Sequence, residues 1–148
     1  MVDSTNSAAT RLLSKSNPTE GTVLYADHQM AGRGQIGSHW QSPFGQNLLL
    51  SVILYPKFLL ATQQFKLNQV VSLALYQSLY ALLPNPTALC VKWPNDLYYQ
   101  DQKMGGILIE NSLQGSSIRH TIIGIGLNVN QTDLQHDMTT ATTCDMRN

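Results

Sequence analysis

The run Asn47-Leu48-Leu49-Leu50-Ser51-Val52-Ile53-Leu54-Tyr55 is apolar at nearly every position. A strand with one face in water alternates polar and apolar residues; a strand without alternation is covered on both faces. A chain that contains this run is committed to a layered α/β arrangement in which other elements shield the sheet. Pro56 ends the strand, because proline has no N–H to give the ladder.

The remaining elements follow from periodicity and punctuation. Between Phe65 and Leu83, apolar residues at Leu67, Val70, Val71, Ala74, Leu75, Leu79, Leu82 and Leu83 keep the three-four spacing of an amphipathic helix, and Pro84-Asn85-Pro86 stops it. This helix is expected to cover one face of the sheet. Ser4-Thr5-Asn6 precedes the helix-compatible run Ser7–Leu13, where the hydroxyls and amide either cap the first turn or meet a neutral polar ligand group. Asn17–Gly21 reads as a turn and Thr22–Ala26 as a strand. Ala88–Val91 is a short buried strand. Leu97–Tyr99 and Gly106–Glu110 form two antiparallel strands joined through Gln100-Asp101-Gln102-Lys103, and a turn at Gln114–Ser117 leads into the strand His120–Asn130. Glycines 124 and 126 inside that last strand mark bulges or the close approach of another group to the backbone.

Between the first two strands lies Ala31-Gly32-Arg33-Gly34-Gln35-Ile36-Gly37-Ser38-His39-Trp40. Its glycines let a backbone approach a ligand, Arg33 supplies a fixed cation, and an indole closes the segment. The loop is either a simple turn or a cradle for an anion. It is not a Walker loop, which needs Gly-Lys-Ser/Thr after the spacer, and no helix-forming run follows it as in a dinucleotide fingerprint. Lys92 and Lys103 flank the predicted hairpin with Asp96 between them. Each lysine is either a solvated surface charge or, with Arg33, part of a set that neutralises a polyphosphate.

The 148 residues allow one domain with a substantial core, and Lys plus Arg balances Asp plus Glu at 9 each. No overall basic field draws nucleic acid, so an anionic ligand must be held by local groups. Cys90 and Cys144 read as a buried inert thiol and an exposed one, and the four histidines lack metal-ligand spacing. The N-terminus has no signal-like segment, and no apolar window reaches the ~18 residues needed to span a membrane, so a cytoplasmic protein is expected.

Taken in order, several segments resemble the catalytic domain of biotin protein ligases. They are Gly-Arg-Gly-x-x-Gly at 32–37 with Trp40-x-Ser42-Pro43, then Lys92-Trp93-Pro94-Asn95-Asp96, Lys103-x-x-Gly106-Ile107-Leu108-Ile109-Glu110, and Gly124-Ile125-Gly126-Leu127-Asn128-Val129-Asn130. Ser4-Thr5-Asn6 is similar to that family's opening motif. The resemblance implies a mixed, largely antiparallel sheet packed with helices, of the class II aminoacyl-tRNA synthetase and biotin ligase type. It implies ATP-dependent, Mg²⁺-assisted conversion of biotin to biotinyl-5'-AMP, then transfer to a lysine of a biotin carboxyl carrier protein. No covalent enzyme intermediate is implied.

By resemblance, Ser4, Thr5 and Gln29 read the biotin ureido ring, Gly32 and Arg33 close over the carboxylate, and Lys103 lies between that carboxylate and the α-phosphate. Gly106, Ile107 and Gly124 line the biotin slot. Trp40 and Asn128 are candidates for adenine contact, and Lys92 and Asp96 for the triphosphate and its Mg²⁺. Arg33, Lys92, Asp96 and Lys103 form the catalytic set.

The chain departs from the family where relatives read Gly-Arg-Gly-Arg-x-Gly-Arg, having Gln35 and Ser38 instead of arginines. Gln35 then stands in the ATP-binding loop as an amide, with a slower first step or a leakier adenylate as the expected consequence. Relatives continue past the last strand into further helices and a small β-barrel domain, whereas this chain stops at Asn148. The expectation is a single catalytic unit, 1–130, with a loop or disordered tail at 131–148. Neither an N-terminal DNA-binding domain nor a C-terminal β-barrel is expected, and a homodimer is compatible with the family. A lipoate ligase or octanoyltransferase, and a truncated biotin-binding module without catalysis, are the rival readings.

Overall fold

The computed structural model describes residues 2–35 and 37–131. Six strands form one sheet: β1 (Thr22–Ala26), β2 (Asn47–Leu54), β3 (Leu89–Lys92), β4 (Asp96–Tyr99), β5 (Gln102–Gln114) and β6 (Ser117–Asn128). Their spatial order is β1-β2-β6-β5-β4-β3, and every neighbouring pair is antiparallel. The expected fold class is borne out.

Helices α1 (Thr5–Lys15) and α2 (Phe65–Tyr80) lie on opposite faces of this sheet. Side chains alternate along a strand, so adjacent residues of β6 serve different layers. Ile122 packs with Ile53 and Ala9 of α1, while Ile123 joins Leu79 of α2, Leu89, Leu97, Ile107 and Leu127. The sequence reading placed a helix over one face alone; α1 supplies the second layer that the uninterrupted apolar run of β2 required.

On α2 the buried stripe is Leu67 and Leu79, with Val71 and Leu75 partly buried between them, an i, i+4 series. Val70 and Leu82, expected in the core, are 64% and 79% exposed. Val70 falls off that stripe, and Leu82 lies beyond the end of the helix.

Strand β5 starts at Gln102, so the β4–β5 connection is shorter than expected. It consists of Gln100 and Asp101, whose φ values of 50° and 63° belong to the tight two-residue hairpin turn that matches strand twist. Lys103 is therefore held on a strand and not in a loop. Cys90 is buried, as expected, but it is not a free thiol. Cys144, His136 and the expected tail beyond Gln131 lie outside the described residues. No helix among the described residues is long and apolar enough to cross a membrane.

Candidate functional site

A cavity of about 220 Å³ opens where the N-terminus of α1, the β1–β2 loop, the start of β4, the first half of β5 and the later part of β6 meet. Its polar end begins at Ser4, whose extended backbone ends the preceding segment and whose Oγ accepts from the Ser7 N–H at 3.1 Å. That is an N-cap, and it turns the next two side chains inward. Gln29 Oε1 accepts from the Thr5 N–H at 2.7 Å and from Thr5 Oγ1 at 3.2 Å. Fully buried Ser51 lies 2.8 Å from Thr5 Oγ1 and 2.5 Å from Asn6 Oδ1. Asn6 Nδ2 donates to Glu110 Oε2 at 2.7 Å. Each buried polar atom here is matched by another, as low-dielectric surroundings demand.

The glycine-rich segment forms a small hairpin over the cavity. Arg33 and His39 are bridged, Gly34 N–H donates to Ser38 C=O at 3.1 Å, and Trp40 N–H donates to Gly32 C=O at 3.0 Å. A Cβ on Gly32 would overlap the Trp40 carbonyl, so only glycine permits this closure. The base of the hairpin is stapled to the start of the chain: Met30 and Ala31 N–H donate to the carbonyls of Val2 and Asp3, each at 2.9 Å. Arg11 grips the Asp3 carboxylate with two hydrogen bonds, at 2.7 and 2.8 Å, and holds its carboxyl well below the usual carboxylate range.

At the other end, Lys103 Nζ donates to Asp96 Oδ2 at 2.7 Å and lies 5.9 Å from the centre of the Trp40 ring. The indole rests on two glycines. A Cβ on Gly126 would come within 2.5 Å of Trp40 Cε2, and one on Gly106 within 2.9 Å of Cζ3. The in-strand glycines thus make the close approach their sequence context called for, Gly124 admitting Asn6 and Gly126 admitting Trp40. Asn128 Nδ2 donates to Lys103 C=O at 2.9 Å. Trp40 Nε1, Asp96 Oδ1 and Asn128 Oδ1 are buried without a hydrogen-bond partner. Unpartnered polar atoms grouped beside one cavity are groups that a bound ligand can satisfy.

Of the residues singled out from sequence, Ser4, Thr5, Gln29, Arg33, Gln35, Trp40, Asp96, Lys103, Gly106, Ile107 and Gly124 line the cavity. Gly32 shapes it from behind, and Asn128 braces the Lys103 backbone. Lys92 is not among the lining residues; its ammonium sits 5.2 Å from the centre of the Tyr98 ring. Sequence reasoning assigned no site role to Ser51, Asn95 or Glu110, and read Asn6 only within the opening cap segment and Gly126 only as a bulge or point of close approach to the backbone. Asn6 stood inside a run read as a cap. Ser51 is the one hydroxyl in an otherwise apolar strand, and Gly126 repeats Gly124 on the same face; those two signals were available.

No group of three or more His, Cys, Asp or Glu side chains among the described residues could enclose a metal. Beside the cavity, Asp96 Oδ1 is a buried carboxylate oxygen without a hydrogen-bond partner. One carboxylate completed by phosphate oxygens and water suits Mg²⁺, which seldom takes an all-protein cage.

The family model of biotin/lipoate A/B protein ligases matches residues 1–128. The chain belongs to the biotin/lipoate A/B protein ligase family. This family member is 38% identical over 119 residues to the bifunctional ligase/repressor BirA of Bacillus spizizenii, covering 80% of this chain and 36% of that protein. It is 36% identical over 128 residues to the biotin--[acetyl-CoA-carboxylase] ligase of Paracoccus denitrificans, covering 86% and 51%. Among solved structures, it resembles the Aquifex aeolicus biotin protein ligase in complex with biotin and ATP, with TM-score 0.71, 35% identity, and coverage of 91% of this chain and 52% of that one. It also resembles the Leishmania major biotin protein ligase in complex with biotinyl-5-AMP, with TM-score 0.75, 27% identity, and coverage of 93% and 58%. The resemblance read from the motifs is borne out. This chain spans 36% and 51% of the two curated relatives named.

Proposed function

We propose that this site joins biotin to AMP and passes the biotinyl group to a lysine of a biotin carboxyl carrier protein. The observation that carries the reading is one cavity with a closed polar network and Arg33 at one end, and unpaired buried atoms with Lys103 at the other. Thr5 and Gln29 present a fixed pattern to the ureido group, and the apolar backbone stretch around Ile107 and Gly124 accommodates the body of biotin.

In the first step a biotin carboxylate oxygen attacks the α-phosphorus of ATP, and the bond from that phosphorus to the bridging oxygen of pyrophosphate breaks. Lys103 and Arg33 place positive charge on the oxygens that gain negative charge, in a pocket shielded by the glycine hairpin. Trp40 offers the adenine a flat surface and its unpartnered Nε1, and Asn128 Oδ1 is the matching acceptor. Asp96 Oδ1 would hold a Mg²⁺, which supplies charge neutralisation on the phosphates when bound. Lys92, which is not part of the cavity lining, would meet the triphosphate only outside it. In the second step a carrier lysine amine attacks the acyl carbon, AMP leaves, and the amine loses a proton to solvent. The reaction belongs in the cytoplasm, where ATP and carrier domains are found.

The test is biotin-dependent exchange of labelled pyrophosphate into ATP. The expected result is exchange that falls roughly a hundredfold to a thousandfold in Lys103→Ala. Biotin binding without exchange would favour the non-catalytic binder. Tighter binding of lipoate than of biotin would overturn the choice of substrate.

A further inference from the structure

Glu110 belongs to the motif by which the family was identified, yet its side chain is not part of the cavity lining. It lies behind the lining on β5, paired in register with Ile122. Its two oxygens serve different parts of the molecule. Oε1 takes Arg33 Nη2 in an ion pair, and Oε2 accepts from Asn6 Nδ2 at 2.7 Å. Arg33 is on the hairpin that covers the cavity; Asn6 is on the first turn of α1 and faces the cavity.

The consequence for Asn6 is one of direction. The two ends of an amide are nearly equal in size, so neighbours decide which points where. An ionised carboxylate only accepts, which turns the NH₂ end toward Glu110 and leaves Oδ1 to meet Ser51 Oγ at 2.5 Å. Reversal would set the amide oxygen against a carboxylate, and Gly124, packed on the amide face, leaves room for either end. The Leu108 C=O, which accepts from Asn6 Nδ2 at 3.4 Å, favours the same orientation more weakly than the carboxylate at 2.7 Å.

The consequence for the hairpin is one of attachment. Among the described residues from 33 to 39, Arg33 makes the side-chain hydrogen bonds to the rest of the protein, to Glu110 and to Ser7 Oγ at 3.4 Å. No other described side chain in that stretch does so.

We propose that Glu110 is a positioning residue that ties closure of the Arg33 hairpin to the orientation of the amide at the polar end of the cavity. This rests on the function proposed above for its link to biotin, although the tie itself is a property of the ligand-free protein. A substrate that loosens or tightens either partner is felt by the other through one carboxylate.

Limited trypsin cleavage after Arg33 reads the hairpin, and the side-chain amide signals of Asn6 in an NMR spectrum read the polar end. Glu110→Ala should speed cleavage at Arg33 about fivefold to tenfold, the range for a half-exposed, charge-assisted tie. It should also move the Asn6 amide protons upfield. Glu110→Gln keeps one acceptor and should fall between wild type and Glu110→Ala, which also guards against misreading a folding defect. In the exchange assay the biotin KM of Glu110→Ala should rise about tenfold and the ATP KM by less. Unchanged cleavage, or an unmoved Asn6 signal, or a rise in ATP KM equal to that in biotin KM overturns the proposal. Wild-type protein without exchange would count against the ligase reading alone, because cleavage and the Asn6 signal need no substrate.

Discussion

The two ends of the cavity are built on opposite terms. At the α1 end, Thr5, Asn6, Gln29, Ser51 and Glu110 satisfy one another before any ligand arrives. At the Trp40 end, an indole N–H, a carboxylate oxygen and an amide oxygen are buried with nothing to bond. A closed network fixes geometry in advance, which suits recognition of a small, rigid, neutral group. Unpartnered buried polar atoms cost stability that bonding to a ligand recovers, which suits a ligand that brings its own donors, acceptors and charge. Both ends use glycine in β6 for access, so the difference lies in what fills the space and not in how it is made.

The sharpest way to break this contrast is to add one methyl group at each end. In Gly126→Ala the Cβ meets Trp40 Cε2 at 2.5 Å and Nε1 at 2.8 Å, so the indole must move. Because misplacement of a positioning group by about an ångström costs on the order of a hundredfold, exchange should fall by that amount through ATP. Gly124→Ala instead displaces Asn6, and the loss should appear in biotin affinity. Equal effects of both variants on both ligands would show that the ends do not act separately.

Stability should separate them too. Ser51→Ala strips a donor from the closed network and should lower unfolding free energy by about 1–3 kcal/mol in a denaturant titration. Trp40→Phe removes an N–H that has no partner, so it should cost less than Ser51→Ala; a larger cost would mean that the open end is not open.

A smaller effect is expected from the hairpin. Gln35→Arg adds a cation to the cavity wall and should slow release of the adenylate several-fold, about what one partly exposed charge contributes. Unchanged release would remove the idea that Gln35 loosens the site.

His120, on β6 across from Ser112 and away from the cavity, provides the smallest effect and a control. Burial, with the Arg119 charge nearby, holds its imidazole below the ordinary value of 6.5. The unfolded chain takes up that proton first, so stability is intact above about pH 6.5 and declines as pH falls through the lowered folded value. His120→Asn should flatten that decline in thermal melts without changing biotin binding.

Much of the scaffold was legible because it rests on local pattern. Thr22–Ala26 appears with the expected bounds, and the apolar run from Asn47 becomes β2. The motif order identified most of the cavity wall. Lys92 shows the limit. It shares a motif with Asp96 and stands opposite it in the β3–β4 register, yet its ammonium lies over Tyr98 and not in the cavity. Spacing brings a residue to a strand end but does not settle which surface its long side chain follows. Glu110 shows the converse, since its motif was read for Lys103 and the glycines, and nothing local marks a carboxylate that serves two distant elements.

By itself the sequence determined the succession of elements, the glycines that admit side chains to the backbone, and the family. Strand alternation, helical periodicity and motif order all act within a few residues or along one line of text. Tertiary structure decided which groups meet: Asn6 with Glu110, 104 residues apart, and the indole of Trp40 over Gly106 and Gly126, paired across β5 and β6. Those meetings depend on strand register and on how helices settle against both faces of the sheet. A one-residue change of register would turn every such side chain to the other layer.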